Sequence, residues 1–345
     1  MKVLFQSYHD FGRMYGGGPS VVHNLAAALA ERGVEVTYHD YWRHDPRAFD
    51  LCHYFSCYDA HNWLRHAPGD PPLVVTPISW YRFPLRARLK KRVKHALRVA
   101  WHRTADRARL GEPEAVPDHW YPNSEGEAHY LAQWFRLPRE RMTIVPHGVD
   151  RRFADGDGAA FVSAFGIEDF VLCVGRFEYP RKNQLALVEA LRGTGVPLVF
   201  IGGPERGHEW YFEKCRAAAD PGVRFLPAMP HGDPVFRSAF HACRVIVQPA
   251  LLESPGLAGL EGALGGATVA TTDGGSTREY YADRAWYFDT TDHAAMRKAV
   301  LAAYAAPRDG RMRERTLARY TWDIIAGAQK AAYEALLSRK GTTDR

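Results

Sequence analysis

The chain has 345 residues, 46% of them hydrophobic and 24% charged, with a formal net charge of +6. That length exceeds one ordinary hydrophobic core and suits two domains, and the composition excludes a disordered or fibrous chain. No run approaches the ~18 uninterrupted apolar residues of a membrane-spanning helix, and residues 1–8 lack the length and cleavage site of a signal peptide.

Short β-rich runs alternate with helical stretches along the chain. In the first half, strands are predicted at residues 3–7, 34–38, 51–55, 73–76, 119–122 and 142–145. In the second half they are predicted at 170–175, 198–202, 223–226, 245–248, 268–272 and 286–288. Helices fall between most of them, among others at 20–31, 125–135 and 183–191. Alternating strands and helices imply an α/β fold of parallel sheets with helices on both faces. Two such sets imply two Rossmann-like domains, residues 1–150 and 151–319. The turn from Pro146 to Asp150, with the glycine-rich 155–158 stretch after it, is the natural linker. The tail carries a helical pattern around Trp322, Ile324, Ile325, Tyr333, Leu336 and Leu337. No strand follows it, so residues 320–340 are expected to return across the linker onto the first domain, with the last five residues frayed.

The five cysteines, Cys52, Cys57, Cys173, Cys215 and Cys243, form no C-x-x-C pair and fit reduced, buried thiols of a cytoplasmic protein. Cys52, His53, Cys57 and His61 cluster in sequence, but their spacing matches no zinc pattern, and no metal is expected.

Two acids stand in an otherwise small and apolar stretch: Glu253 closes the strand at 245–248, and Glu261 lies inside the helix that follows. Ligands of parallel sheets bind where strands end and helices begin. Ser254 is read as the N-cap and Pro255 as the first helical residue, giving a helix N-terminus suited to an anion. Gly256, Gly259, Gly262 and Gly265 recur every third residue. Either a ligand approaches that backbone closely, or the helix packs tightly on its sheet. Eight helical steps would separate the two acids by about 12 Å. That spacing gives them different tasks rather than the ~5–5.5 Å pairing of a retaining glycosidase.

A second strand end carries cations: Arg176, Arg181 and Lys182 follow the strand that closes at Gly175, a placement suited to a diphosphate. In the first half, Gly16, Gly17 and Gly18 precede a helix and let backbone N–H groups approach a ligand. The run is neither G-x-G-x-x-G nor a Walker A loop, which disfavours a dehydrogenase.

In order along the chain, these features resemble the family 4 glycosyltransferases of GT-B fold. The resemblance rests on Gly16–Gly18 with its helix and Arg32–Val36, then Asn123–Glu125 and Ile144–Asp150. It continues through Gly175 and Arg176 with Arg181–Asn183, Glu253 and Glu261, Gly274 and Gly275 with Glu279, and Tyr320–Trp322. It implies a retaining, metal-independent hexosyltransferase that draws on a nucleotide-diphosphate sugar held between the domains, with no cofactor. Arg176 and Lys182 match the cations that hold the diphosphate and stabilise the leaving group. Glu261 matches the acid that takes the ribose hydroxyls. Glu253 with Pro255, Gly256 and Leu257 matches the turn that reads the donor sugar, and Gly17 and Gly18 match the loop that closes over it. The family's histidine after the fourth strand has no counterpart among residues 74–80, where Ser79 or Trp80 occupies the space. His9, with Asp10 and His147, is a further cleft candidate. The implied acceptor is a hydroxyl of a glycan or glycolipid in bacterial cell-surface polysaccharide or glycolipid assembly. A phosphorylase, a nucleotide-sugar epimerase or a non-catalytic nucleotide-sugar binding protein would share the same features.

Two further stretches are read by themselves. Asp155 and Asp157 copy a metal-binding Asp-x-Asp but follow no apolar strand, and read as a flexible linker turn. Residues 82–109 hold eleven Lys/Arg against one acid, Asp106, with Leu85, Leu89, Val93, Leu97 and Trp101 at every fourth position. A cationic helix with one apolar stripe suits the anionic inner face of a membrane. No nucleic-acid module accompanies it, so no nucleic-acid partner is expected.

Overall fold

The computed structural model describes residues 1–7, 17–40, 42–55, 70–78, 117–135 and 137–343. Their strands form two parallel sheets. The first contains β1 (Lys2–Gln6), β2 (Glu35–Tyr38), β3 (Leu51–Phe55), β4 (Leu73–Thr76) and β5 (His119–Trp120), in the order β2-β1-β3-β4-β5. The second contains β6 (Val171–Val174), β7 (Leu198–Ile201), β8 (Val223–Leu226), β9 (Val245–Gln248), β10 (Thr268–Thr272) and β11 (Trp286–Phe288), in the order β11-β10-β9-β6-β7-β8. Val, Ile, Leu and Phe dominate the central strands, and β3, β4, β7, β9 and β10 are buried throughout, as sheets covered on both faces require.

Strand order decides where ligands can sit. In the second sheet the chain runs outward from β6 through β7 to β8, then restarts beside β6 at β9 and runs the other way. The crossovers therefore diverge between β6 and β9, which pair with Val171 opposite Val245 and Leu172 opposite Ile246. A crevice opens at the carboxyl ends of such a strand pair. In the first sheet the same divergence lies between β1 and β3.

Residues 142–145, predicted as a sixth strand, make only an isolated bridge, Met142 with Trp120. Thr143 N donates to Trp120 O at 3.0 Å and Val145 N to Pro122 O at 2.9 Å. Pro122 has no N–H to return, so no ladder forms.

The chain crosses between the sheets twice, side by side. Val149 pairs with Thr321, and Val149 N donates to Tyr320 O at 2.7 Å. A Cβ on Gly148 would lie 2.6 Å from the Trp322 ring. The helix Trp322–Thr343 then lies against Gly17–Ala30 of the first half. There Trp322, Ile325, Ala326, Tyr333 and Leu336 share one core with Val3, Phe5, Leu25 and Leu29. Tyr333 Oη bonds buried His53 Nδ1, whose Nε2 meets Thr76 Oγ1 at 2.8 Å. Burial lowers the His53 pKa to about 3, which keeps the ring neutral. Ile324, read as part of the apolar stripe, instead faces solvent.

Cys52, Cys173, Cys215 and Cys243 are free and buried, and burial pushes each thiol up to about 12. Cys57 and His61 lie outside the described residues. Asp157 accepts from Ala159 N at 2.9 Å and starts the helix Ala159–Phe165. A Cβ on the adjacent Gly158 would sit 2.9 Å from Ala242 Cα, so the turn expected to be flexible is packed down.

The glycine stripe after β9 packs the helix Leu257–Leu264 against the sheet. A Cβ on Gly262 would lie 2.5 Å from Ile246 Cγ2, and one on Gly265 would lie 2.5 Å from Phe240 O. Gly259 faces Gln248 and Tyr281 in the same way. Of the two explanations for the repeat, Gly259 and Gly262 take tight helix-on-sheet packing, and Gly265 takes close packing against the neighbouring helix Pro234–Ala242. Gly262→Ala is therefore expected to destabilise the chain by about 1–3 kcal/mol through overpacking. A lowered urea midpoint is the readout, and an unchanged midpoint would mean that the helix can lift from the strand freely.

Candidate active site

Both strand ends at the β6/β9 divergence are pinned before any side chain enters the crevice. After β6 the chain turns through Gly175 at φ +143°, and Phe177 exchanges backbone hydrogen bonds with Gly203 (2.9 Å) and Glu205 (3.0 Å). Gln184 Nε2 donates to Arg176 O at 2.8 Å, and Asn183 Nδ2 donates to Pro249 O and Thr290 O. Leu251 N donates to Arg181 O at 2.9 Å, which joins the loop after β6 to the turn after β9. On the other side that turn is held by the 274–276 segment. Glu253 pairs with Gly275, and Glu253 O accepts from Ser276 N at 2.9 Å. Gly275, at φ +90°, leaves no room for a Cβ beside Glu253 O.

The helix that follows begins at Leu257, with Gly256 as its cap at φ +80°, so Ser254 is not the N-cap and Pro255 is not helical. Gly256 supplies the left-handed conformation that stops the helix from starting earlier. The Ser254 hydroxyl is engaged elsewhere, accepting from Asn123 Nδ2 at 2.8 Å. No side chain caps the first turn, which leaves an open N-terminus with its partial positive charge. Facing it is the start of the helix Gly17–Ala30: a Cβ on Gly17 would lie 4.0 Å from Leu257 Cδ1, whereas Gly18 has open space. The starts of two helices thus lie near each other across the two halves, and a helix N-terminus is suited to an anion.

Each cation of the β6 loop is held by one acid. Lys182 Nζ donates to Glu253 Oε1 at 2.9 Å, with both side chains largely buried. Arg176 pairs with Glu205 and Arg181 with Glu178. The Arg181 hydrogen bond draws the Glu178 pKa down against the effect of burial. Arg181 is thereby turned onto its own loop, and Arg176 and Lys182 remain the cations flanking the crevice.

Glu261 is 6% exposed and meets His231, whose Nε2 lies 2.7 Å from Glu261 Oε1. His231 sits between β8 and the helix Pro234–Ala242, against the rings of Phe153 and Phe236. Burial opposes its charged form, but the hydrogen bond and charge of Glu261, with Asp150 behind, outweigh both burial and Arg152 and raise its pKa. Glu253 and Glu261 therefore have separate partners and do not form an acid–base pair.

A polar seam closes the two halves beside the site. Ser124 Oγ and Ser276 Oγ are 3.0 Å apart. Tyr280 Oη accepts from His147 N at 2.8 Å and donates to Asn123 O at 3.0 Å. Glu279 takes the backbone N–H groups of Glu125 and Gly126 at 2.8 and 2.7 Å, and so caps the helix Glu125–Phe135 from across the seam. His147 is buried, with its pKa lowered to about 4 by desolvation, and its Nε2 has no partner among the described residues.

Arg176, Lys182, Glu253, Pro255, Gly256, Leu257 and Glu261 all lie on the pinned loops and helix of this crevice, with Gly17 and Gly18 opposite. His9, Asp10, Ser79, Trp80 and the basic run 82–109 lie outside the described residues. Sequence reasoning missed Glu205 and His231. The available signal for His231 was its place just after β8 and immediately before the Asp233–Pro234 helix start.

Comparison with known proteins bears on this geometry. The profile of the family described as glycosyl transferases group 1 matches residues 168–306. A D-inositol 3-phosphate glycosyltransferase of Mycobacterium avium is 28% identical over 328 residues, spanning 88% of this chain and 73% of its own. One of the same name from Stackebrandtia nassauensis is 30% identical over 273 residues, spanning 68% and 58%. Among solved structures, a sucrose-phosphate synthase from Thermosynechococcus elongatus superposes with a TM-score of 0.74 at 19% identity, covering 98% of this chain and 99% of that one. Anabaena HepE, solved with UDP and glucose, gives 0.71 at 15%, covering 97% and 100%.

The raised His231 pKa has a pH signature. Its stabilising contribution is complete below the unfolded value, about 6.5, and is lost as pH rises through the higher folded value. Solvent screening of the half-exposed ring keeps the effect small. Urea midpoints of the parent and His231→Gln are expected to differ more at pH 6 than at pH 9. A difference independent of pH would contradict a charged pair with Glu261.

Proposed function

The chain is a GT-B glycosyltransferase whose residues 168–306 match the glycosyl transferases group 1 profile, and from that premise we propose a retaining, metal-independent transfer of a hexose from a nucleotide-diphosphate sugar. One observation carries the reading. At the β6/β9 divergence, two acid-paired cations lie on the loop and turn beside an uncapped helix N-terminus, with the start of a second helix near it.

The donor diphosphate lies against Arg176, Lys182 and the N–H groups at Leu257, and the ribose reaches Glu261. Breaking the sugar–phosphate bond places negative charge on the departing diphosphate, and fixed cations and N–H dipoles stabilise it without reorganising. The acceptor hydroxyl attacks the anomeric carbon on the face from which the diphosphate leaves. Its proton passes to the leaving phosphate oxygen, and the configuration is retained. Glu253 keeps Lys182 in place and borders the sugar. Arg176 and Lys182 supply the charge that a metal would otherwise supply. The closed seam excludes water, which favours transfer over hydrolysis.

HepE was solved with UDP and glucose, which supports UDP-glucose as the first donor to assay. The named relatives support D-inositol 3-phosphate as the first soluble acceptor, beside glycan and glycolipid hydroxyls. The cation-rich sequence at 82–109, with its apolar residues at every fourth position, supports peripheral attachment at an anionic inner membrane face, where a glycolipid acceptor would lie. Among the described residues no helix is long and apolar enough to cross a membrane.

A thermal-shift panel of UDP, GDP, ADP, CMP and dTDP sugars tests the donor. At 100 times its dissociation constant the correct one stabilises the fold by about 2.7 kcal/mol, and no shift with any would contradict the reading. With that donor, Lys182→Ala is expected to lower kcat about 10²–10³-fold, and EDTA is expected to leave the rate unchanged. A kcat equal to the parent's would remove Lys182 from leaving-group stabilisation.

A further inference from the structure

Glu261 presents an unusual problem for a buried acid. A buried carboxylate must be hydrogen-bonded, since an unpartnered one bears the full cost of lost hydration. Among the described residues its one hydrogen-bond partner is His231, bound through Oε1 alone, while Oε2 has no protein partner and is not sealed from solvent. Glu261 also lies four residues after Leu257, one helical turn or about 6 Å from the open N-terminus.

The imidazole that makes this contact is itself fixed. Phe153, fully buried in the turn Arg151–Ala154, lies 4.9 Å from it between ring centroids, and Phe236 lies 5.8 Å away. The loop that bears it is closed at both ends: Asp233 N donates to Pro230 O at 2.9 Å, and Arg237 Nη1 donates to Gly232 O at 2.9 Å. The charged groups facing the ring are Glu261, Asp150 and Arg152, and Asp150 is taken up by Arg152. Glu261 is therefore the acid with capacity left for the imidazole.

We propose that His231 is a positioning residue for nucleotide recognition: its Nε2–H holds Glu261 Oε1 so that Oε2 is presented to the ribose diol of the donor. The inference rests on the crevice being a nucleotide-sugar site. Without His231 the Glu261 side chain would keep its place on the helix but lose the contact that selects its rotamer.

Isothermal titration of UDP and of 2′,3′-dideoxy-UDP into the parent, His231→Ala, His231→Gln and His231→Asn tests this. The parent is expected to prefer UDP over the dideoxy nucleotide. His231→Ala should lose about tenfold in UDP affinity and nothing for the dideoxy nucleotide. His231→Gln, whose amide reaches the Nε2 position, should restore the preference, and the shorter His231→Asn should not. In turnover, His231→Ala should raise the donor KM and leave kcat within about twofold. Equal loss of both nucleotides in His231→Ala would indicate a structural role and overturn the proposal alone, as would an undiminished preference for UDP. A parent that binds both nucleotides equally overturns the ribose contact and the proposal with it. A parent that binds neither overturns the UDP-site reading beneath them.

Discussion

The position of the site depends on how closely the helix Leu257–Leu264 lies against β9. Gly259 and Gly262 let the helix backbone rest on Gln248 and Ile246 of β9 without intervening side chains, and Gly265 does the same against Phe240 of the helix Pro234–Ala242. Gln248 Oε1 then accepts from Thr271 Oγ1, and Tyr281 Oη donates to Gly256 O at 2.8 Å while lying 3.1 Å from Gln248 Oε1. The helix start is thereby fixed to the sheet and to the neighbouring helix at once. A side chain at any of these glycines would lift the helix and move its N-terminus, Glu253 and Glu261 together.

The two acids take different roles from that arrangement. Glu253 precedes the helix and is tied by its backbone to Gly275, so its carboxylate faces the β6 loop and holds Lys182. Glu261 is carried one turn into the helix and faces the loop after β8, where His231 meets it. The same turn reaches the other half of the molecule through Ser254 and Asn123, and Ser276 and Glu279 extend the contact. The segment proposed to border the donor is therefore also a segment that joins the halves.

Most of the fold was legible from periodicity. Eleven runs predicted as strands are strands: the central ones are the short apolar runs that a two-faced parallel sheet demands, and the edge strands β2 and β8 are β-rich but partly exposed. The run at 142–145 misled because its β-rich composition is real, whereas the missing ladder depends on Pro122, twenty residues earlier. Ser254 and Pro255 misled for a related reason. They are a good helix start in isolation, but Gly256 adopts φ +80° and Asn123 claims the Ser254 hydroxyl, a contact between residues 131 apart in sequence. The strand-end cations and acids could be read because their chemistry is local to a strand end. Glu205 and His231 could not, since each matters only through a partner that the topology brings from another crossover.

The most direct test is a crystal structure of the chain with the nucleoside diphosphate that gives the largest thermal shift. The account places the diphosphate between Arg176, Lys182 and the N–H groups at Leu257, with the ribose hydroxyls on Glu261. A diphosphate bound away from the β6/β9 crevice, or a ribose that leaves Glu261 untouched, would contradict it.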